Sequence, residues 1–144
     1  MAGNGLTPKP HSGGRIIAAV LAVLLAAAIF FCSSLPGSSF PAHPDFLNTV
    51  VHFFSYLALA VLVTLALNSP RRKLWLTALL ALIIVSLYGA SDEIHQLFVA
   101  GRVADPLDWL TDTLGALIGA VATIWVISAR RVRRSRQRDN QTRI

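Results

Sequence analysis

The chain has 144 residues, of which 54% are apolar and only 14% charged. Soluble domains run at roughly 45–50% apolar and ~25% charged, so a disordered protein, a secreted disulfide scaffold and an ordinary soluble domain are all excluded. A single cysteine, Cys32, rules out an internal disulfide and a cysteine-based zinc cluster, and the formal charge of +6 conceals an uneven distribution.

Residues 1–14 are rich in Gly and Pro and read as a disordered tail. Crossing a ~30 Å hydrocarbon core takes about 20 apolar helical residues, and four segments of residues 15–128 approach that length. The first runs from about Ile16 to Cys32. It has a rival reading as a signal peptide, because Lys9 and Arg15 precede the apolar run and cleavage near Ser34 is conceivable. The bulky Ile29, Phe30 and Phe31 exclude a lipoprotein cleavage site at Cys32. Ser33 to Ser39, with Pro36 and Gly37, breaks this helix. The second span runs from about Leu47 to Leu67 and contains His52 and Tyr56; Asn68-Ser69-Pro70 and Arg71-Arg72-Lys73 then form a polar turn. The third runs from about Leu74 to Ala90, with Asp92-Glu93 read as terminating it. Ala100 to Asp105 forms the last connection, and Pro106 suits the first turn of a fourth span from about Leu107 to Ser128. Residues 129–144 are an Arg-rich tail, also read as disordered. Because backbone in lipid must bond internally, the expected fold class is all-α, a four-helix membrane bundle.

Charge sets the orientation. With both termini and the middle turn cytoplasmic, every Lys and Arg except Arg102 lies inside, as the positive-inside rule requires. Asp45, Asp92, Glu93, Asp105, Asp108 and Asp112 then fall in the outer half, and only Asp139 inside. The basic tail acts as a topology determinant, with binding to anionic lipid headgroups as its functional version. It has no aromatic residue to stack bases, so nucleic acid is not an expected partner.

Three helices bring polar groups to one depth. Asn48, His52 and Tyr56 are spaced i, i+4, i+8 on one face. Rising ~1.5 Å per residue from Lys73, the third helix climbs roughly 28 Å by Asp92, where Tyr88, Asp92 and Gln96 share a face if it continues. Glu93 then points about 100° away, on the side of Gly89. Asp108, Asp112, Gly115 and Gly119 form a stripe on the fourth helix. Ionisable groups at such depth usually face the bundle interior and mark function. His52, Tyr56, Asp92, Glu93, Gln96, Arg102, Asp105, Asp108 and Asp112 are therefore expected to line an outward-open cleft, as ligand-binding residues. A mutual hydrogen-bond network that locks the helices is the competing structural role. His95 is placed in a solvated loop. Gly115-x-x-x-Gly119 permits close helix approach, within the chain or between copies. Neither a phosphate loop nor a nucleophile elbow is present. His52, Asp92, His95 and Asp112 match no strong metal spacing, so no metal or other cofactor is expected.

The ordered series His52-Phe53-x-x-Tyr56, Asp92-Glu93-x-x-Gln96-x-Phe98, Gly101-Arg102, Asp105, Asp108 and Gly115-Ala116-x-x-Gly119 resembles the VanZ-like membrane proteins, over roughly Cys32 to Val126. The chain departs from that pattern at Asn48-Thr49, where the family often has Asp-Lys, and at Asp112, where it often has Asn. The resemblance implies a multi-pass protein of the bacterial cytoplasmic (inner) membrane, in an envelope context, and its namesake is associated with resistance to the lipoglycopeptide teicoplanin. Three functions are then open. One is a non-catalytic protein whose cleft binds a membrane lipid, envelope lipid or lipoglycopeptide and so modulates the envelope or antibiotic access. Another is an enzyme of envelope lipids or lipid-linked glycans, with His52 or Glu93 as general base and Arg102 holding an anion. The last is a small transporter or assembly subunit, working as a homo-oligomer.

Overall fold

A computed structural model describes residues 12–39 and 45–141. The expected N-terminal tail lies almost wholly outside the described residues, as does the side chain of Asp45. Four long helices follow in order: α1 Ser12–Ser33, α2 Asp45–Leu67, α3 Leu74–Gln96 and α4 Pro106–Gln141. A short 3-10 turn, Gly37–Ser39, lies between α1 and α2. The fold is all-α, and all four helices are long and apolar enough to cross a membrane.

Local sequence explains the ends. Pro36 disfavours helix in the residue before it, so α1 stops at the Ser33-Ser34 pair. Gly37 donates its N–H to the Ala100 carbonyl at 3.1 Å, and a methyl group at Gly37 would collide with the carbonyl of Gly101. Gly101 itself takes φ +72°, a left-handed turn that suits glycine. The two connections at this end of the bundle therefore cross through paired glycines. At α4, Asp105 caps the helix by accepting the Leu107 N–H at 2.8 Å, with Pro106 in the first turn.

Two boundaries differ from the sequence reading. Helix α3 continues through Asp92-Glu93 to Gln96, because both carboxylates turn inward, Asp92 onto polar partners and Glu93 onto a backbone N–H. Helix α4 continues through the Arg-rich segment to Gln141. That stretch contains neither Gly nor Pro, and Arg and Gln are good helix formers.

Packing is inverted relative to a soluble protein. The interior holds small and hydroxyl residues: Ala22, Ala60, Ala81, Ala116, Ala120, Thr64 and Thr77 are all buried, together with Tyr56 and Val85. Large apolar side chains such as Leu24, Phe54, Trp75, Leu87 and Trp125 face outward. Without water to drive association, membrane helices pack through small residues. The buried threonines satisfy themselves along their own helices: Thr64 donates to the Ala60 carbonyl at 2.7 Å and Thr123 to the Gly119 carbonyl at 2.7 Å.

Helix α2 packs most extensively on α4, and α1 lies against α2 and α3 without contacting α4 among the described residues. Gly115 and Gly119 face the carbonyls of Phe53 and Leu57, where a methyl group at either would collide. The glycine stripe is therefore used within the chain, to bring α2 and α4 together as parallel neighbours.

Candidate functional site

The close approach of α2 and α4 sets them in register. Asn48 donates to Asp108 Oδ2 at 3.0 Å, and one turn further in His52 Nδ1 meets Asp112 Oδ1, also at 3.0 Å. Asp112 is completely buried and the His52 side chain is 11% exposed. Helix α3 completes this centre. Glu93 is buried; its Oε2 accepts the Asp105 backbone N–H at 2.9 Å, which ties the end of α3 to the start of α4. His52, Glu93 and Asp112 each bring one ligand-type atom within 4.8 Å of the others. Gly89 makes the room: a methyl group there would stand 3.2 Å from both Asp112 Oδ2 and the Tyr56 ring.

A second polar group joins α1 to α3. Ser33 donates to Asp92 Oδ2 at 2.8 Å, and Gln96 reaches the same oxygen at 3.5 Å. The Tyr88 hydroxyl donates to the Ala26 carbonyl at 2.6 Å. His95 lies in the last turn of α3 rather than in a solvated loop, with its Nε2 3.0 Å from Ser34 Oγ and its ring stacked on Phe30.

The residues read from the sequence thus separate by role. His52, Glu93 and Asp112 converge. Asp92 and Gln96 form their own group. Asp108 pairs with Asn48, Asp105 caps α4, and Tyr56 is buried between Tyr88 and the Asp112 side. Arg102 donates to the carbonyls of Leu35 and Cys32, at 3.3 and 3.2 Å, and so folds the α3–α4 connection over the end of α1. In the sequence Ser33 marks only a helix break. No periodicity marks it, since its partner is 59 residues away.

A cavity of about 1220 Å³ opens beside these groups. Leu25, Ala28 and Ile29 of α1 give it an apolar wall, while Asn48, His52, Gln96, Arg102, Asp105 and Asp108 line its polar end. Cys32, placed away from the cluster by sequence, also lines it.

The molecule is thus a four-span membrane bundle with a buried polar centre near one end. A family model described as VanZ/LLP1 matches residues 15–127, and the chain belongs to that family. The matched range takes in every residue of the polar centre and stops before most of the Arg-rich end of α4. No curated protein and no solved structure matches the chain.

Proposed function

We propose that this protein binds the headgroup of an envelope amphiphile in its cavity, from the extracytoplasmic side of the bacterial inner membrane. Through that binding it modulates the envelope and the access of lipoglycopeptides such as teicoplanin. The observation that carries this reading is the two-sided lining of the cavity. An apolar wall of Leu25, Ala28 and Ile29 suits a hydrocarbon chain, and it leads to a polar end that holds His52 and Arg102. At about 1220 Å³ it exceeds the ~300–1,000 Å³ of sites that hold drug-sized ligands, as a headgroup with part of its chain requires. Arg102, held in place by the Leu35 and Cys32 carbonyls, brings a positive charge to that end, which suits a phosphate or carboxylate.

The test is teicoplanin susceptibility in a Gram-positive host that expresses the chain beside Glu93→Ala and Arg102→Ala, with membrane levels matched. Raised resistance that both substitutions abolish is the expected result. Unchanged susceptibility with well-expressed wild-type protein removes the antibiotic role.

The His52–Asp112 pair supports a second reading, as an acid–base enzyme of envelope lipids or lipid-linked glycans. A buried carboxylate that accepts from one ring nitrogen orients an imidazole for proton transfer at the other. Catalysis predicts altered lipid species by mass spectrometry on overexpression, lost in His52→Ala. An unaltered lipid profile counts against it.

A further inference from the structure

We propose that His52, Glu93 and Asp112 form a binding site for one divalent transition-metal cation, with Zn²⁺ the best match to the ligand set. The three residues come from α2, α3 and α4, so no spacing along the chain announces them. Their ligand atoms lie within 4.8 Å of one another. With bonds of about 2.0–2.2 Å, ligands on a tetrahedral ion stand about 3.4 Å apart, so closure asks for small side-chain adjustments only. The 3.0 Å between His52 Nδ1 and Asp112 Oδ1 is a hydrogen-bond distance, and the two atoms need part by only about 0.4 Å to become neighbouring ligands on one ion.

An independent observation points the same way. Glu93 Oε1 and Asp112 Oδ2 are buried and have no hydrogen-bond partner, in residues only 7% and 0% exposed. Buried carboxylate oxygens in native proteins find a partner, and a buried charge is paired or coordinates a metal. Tyr56 Oη and Asp92 Oδ1 are likewise without a partner, but only Glu93 and Asp112 belong to the trio, and a cation held there neutralises both of their buried carboxylates. One nitrogen and two carboxylates form a mixed set that borderline Zn²⁺ accepts, whereas Mg²⁺ and Ca²⁺ favour oxygen alone. His52 also lines the cavity, which gives the ion a way in and leaves a coordination position for water or an anionic oxygen.

The test uses the full-length, tag-free protein in detergent, titrated with Co²⁺ and followed by visible absorption. The expected result is one Co²⁺ per chain, displaced by Zn²⁺. Glu93→Gln and Asp112→Asn should each weaken Co²⁺ binding by more than the roughly 10–100-fold that loss of an outer partner costs. His95→Ala, an imidazole outside the trio, should keep wild-type affinity. Folded wild-type protein that binds no Co²⁺, or unaltered affinity in both carboxylate variants, overturns the proposal. If a variant does not fold, X-ray absorption of the Zn²⁺-loaded wild type decides: a single imidazole among oxygens supports the site. Two or more imidazoles, or a sulfur ligand from Cys32, overturn it. The titration contains no envelope lipid and no antibiotic, so its outcome is independent of the amphiphile reading.

Discussion

Asp112 directs one oxygen at His52 and leaves the other without a hydrogen-bond partner, all within the buried centre of the bundle. Removing one member of a buried pair strands the other, at a cost of roughly 3–5 kcal/mol. His52→Ala is therefore expected to lower stability in detergent by that order, read by unfolding monitored with circular dichroism. His52→Gln, which can still donate to Asp112, should lose less; equal losses would show that the pair is not the reason. Ser33→Ala removes the 2.8 Å donor to Asp92 and should cost about 1–3 kcal/mol, with Ser34→Ala as the comparison. At this scale the sequence revealed faces but not partners. The i, i+4 spacing aligned Asn48 with His52 and Asp108 with Asp112. Which carboxylate meets which donor is set by how helices pack, and Ser33 carried no periodic signal at all.

Helices α2 and α4 owe their register to the absence of side chains at Gly115 and Gly119, which lie on the Phe53 and Leu57 carbonyls. Larger residues there must push the helices apart, and overpacking of this kind costs about 1–3 kcal/mol. Gly119→Leu is expected to lower stability by that amount and also to break the His52–Asp112 and Asn48–Asp108 bonds two to three turns away. With Cys32→Ala, cysteines at positions 48 and 108 report the register directly: a short thiol–thiol crosslinker should join them with Gly119 in place and fail with Gly119→Leu. The four helices themselves were legible, since length and apolarity alone define a span. Their ends were less so. A carboxylate pair signals a helix terminus when it faces water. In α3 it faces inward, which only the tertiary fold determines. The helical extension of α4 has no distinct sequence signal, because a run of like charge describes a disordered tail equally well.

Across the whole molecule, the basic residues and the buried polar centre separate to opposite ends. At one end Arg15 donates to the Ala66 carbonyl, Arg72 to the Leu67 carbonyl and Arg131 to Asn68 Oδ1. Asp92, Glu93, Asp105, Asp108 and Asp112, the two histidines of the polar groups and the cavity lie at the other. The positive-inside rule assigns the basic end to the cytoplasm. In a background with Cys32→Ala, Ser38→Cys is expected to react with a membrane-impermeant maleimide applied to intact cells, and Ser69→Cys only after permeabilisation. The reverse pattern would invert the topology and remove the extracytoplasmic site.

The partners of the two innermost aspartates have a consequence for biogenesis. Asp92 of α3 bonds to α1, and Asp112 of α4 bonds to α2. Each acid thus finds its shortest hydrogen-bond partner two helices earlier in the chain, Asp92 keeping only the longer 3.5 Å contact to Gln96 within its own helix. Because α1 and α2 precede α3 and α4 in the chain, Ser33 and His52 enter the membrane ahead of those partners. A span carrying an acid is costly to release alone into lipid, so α3 and α4 must each be admitted against helices that arrived before them. The bundle is completed only by its last helix, which brings Asp112 to His52.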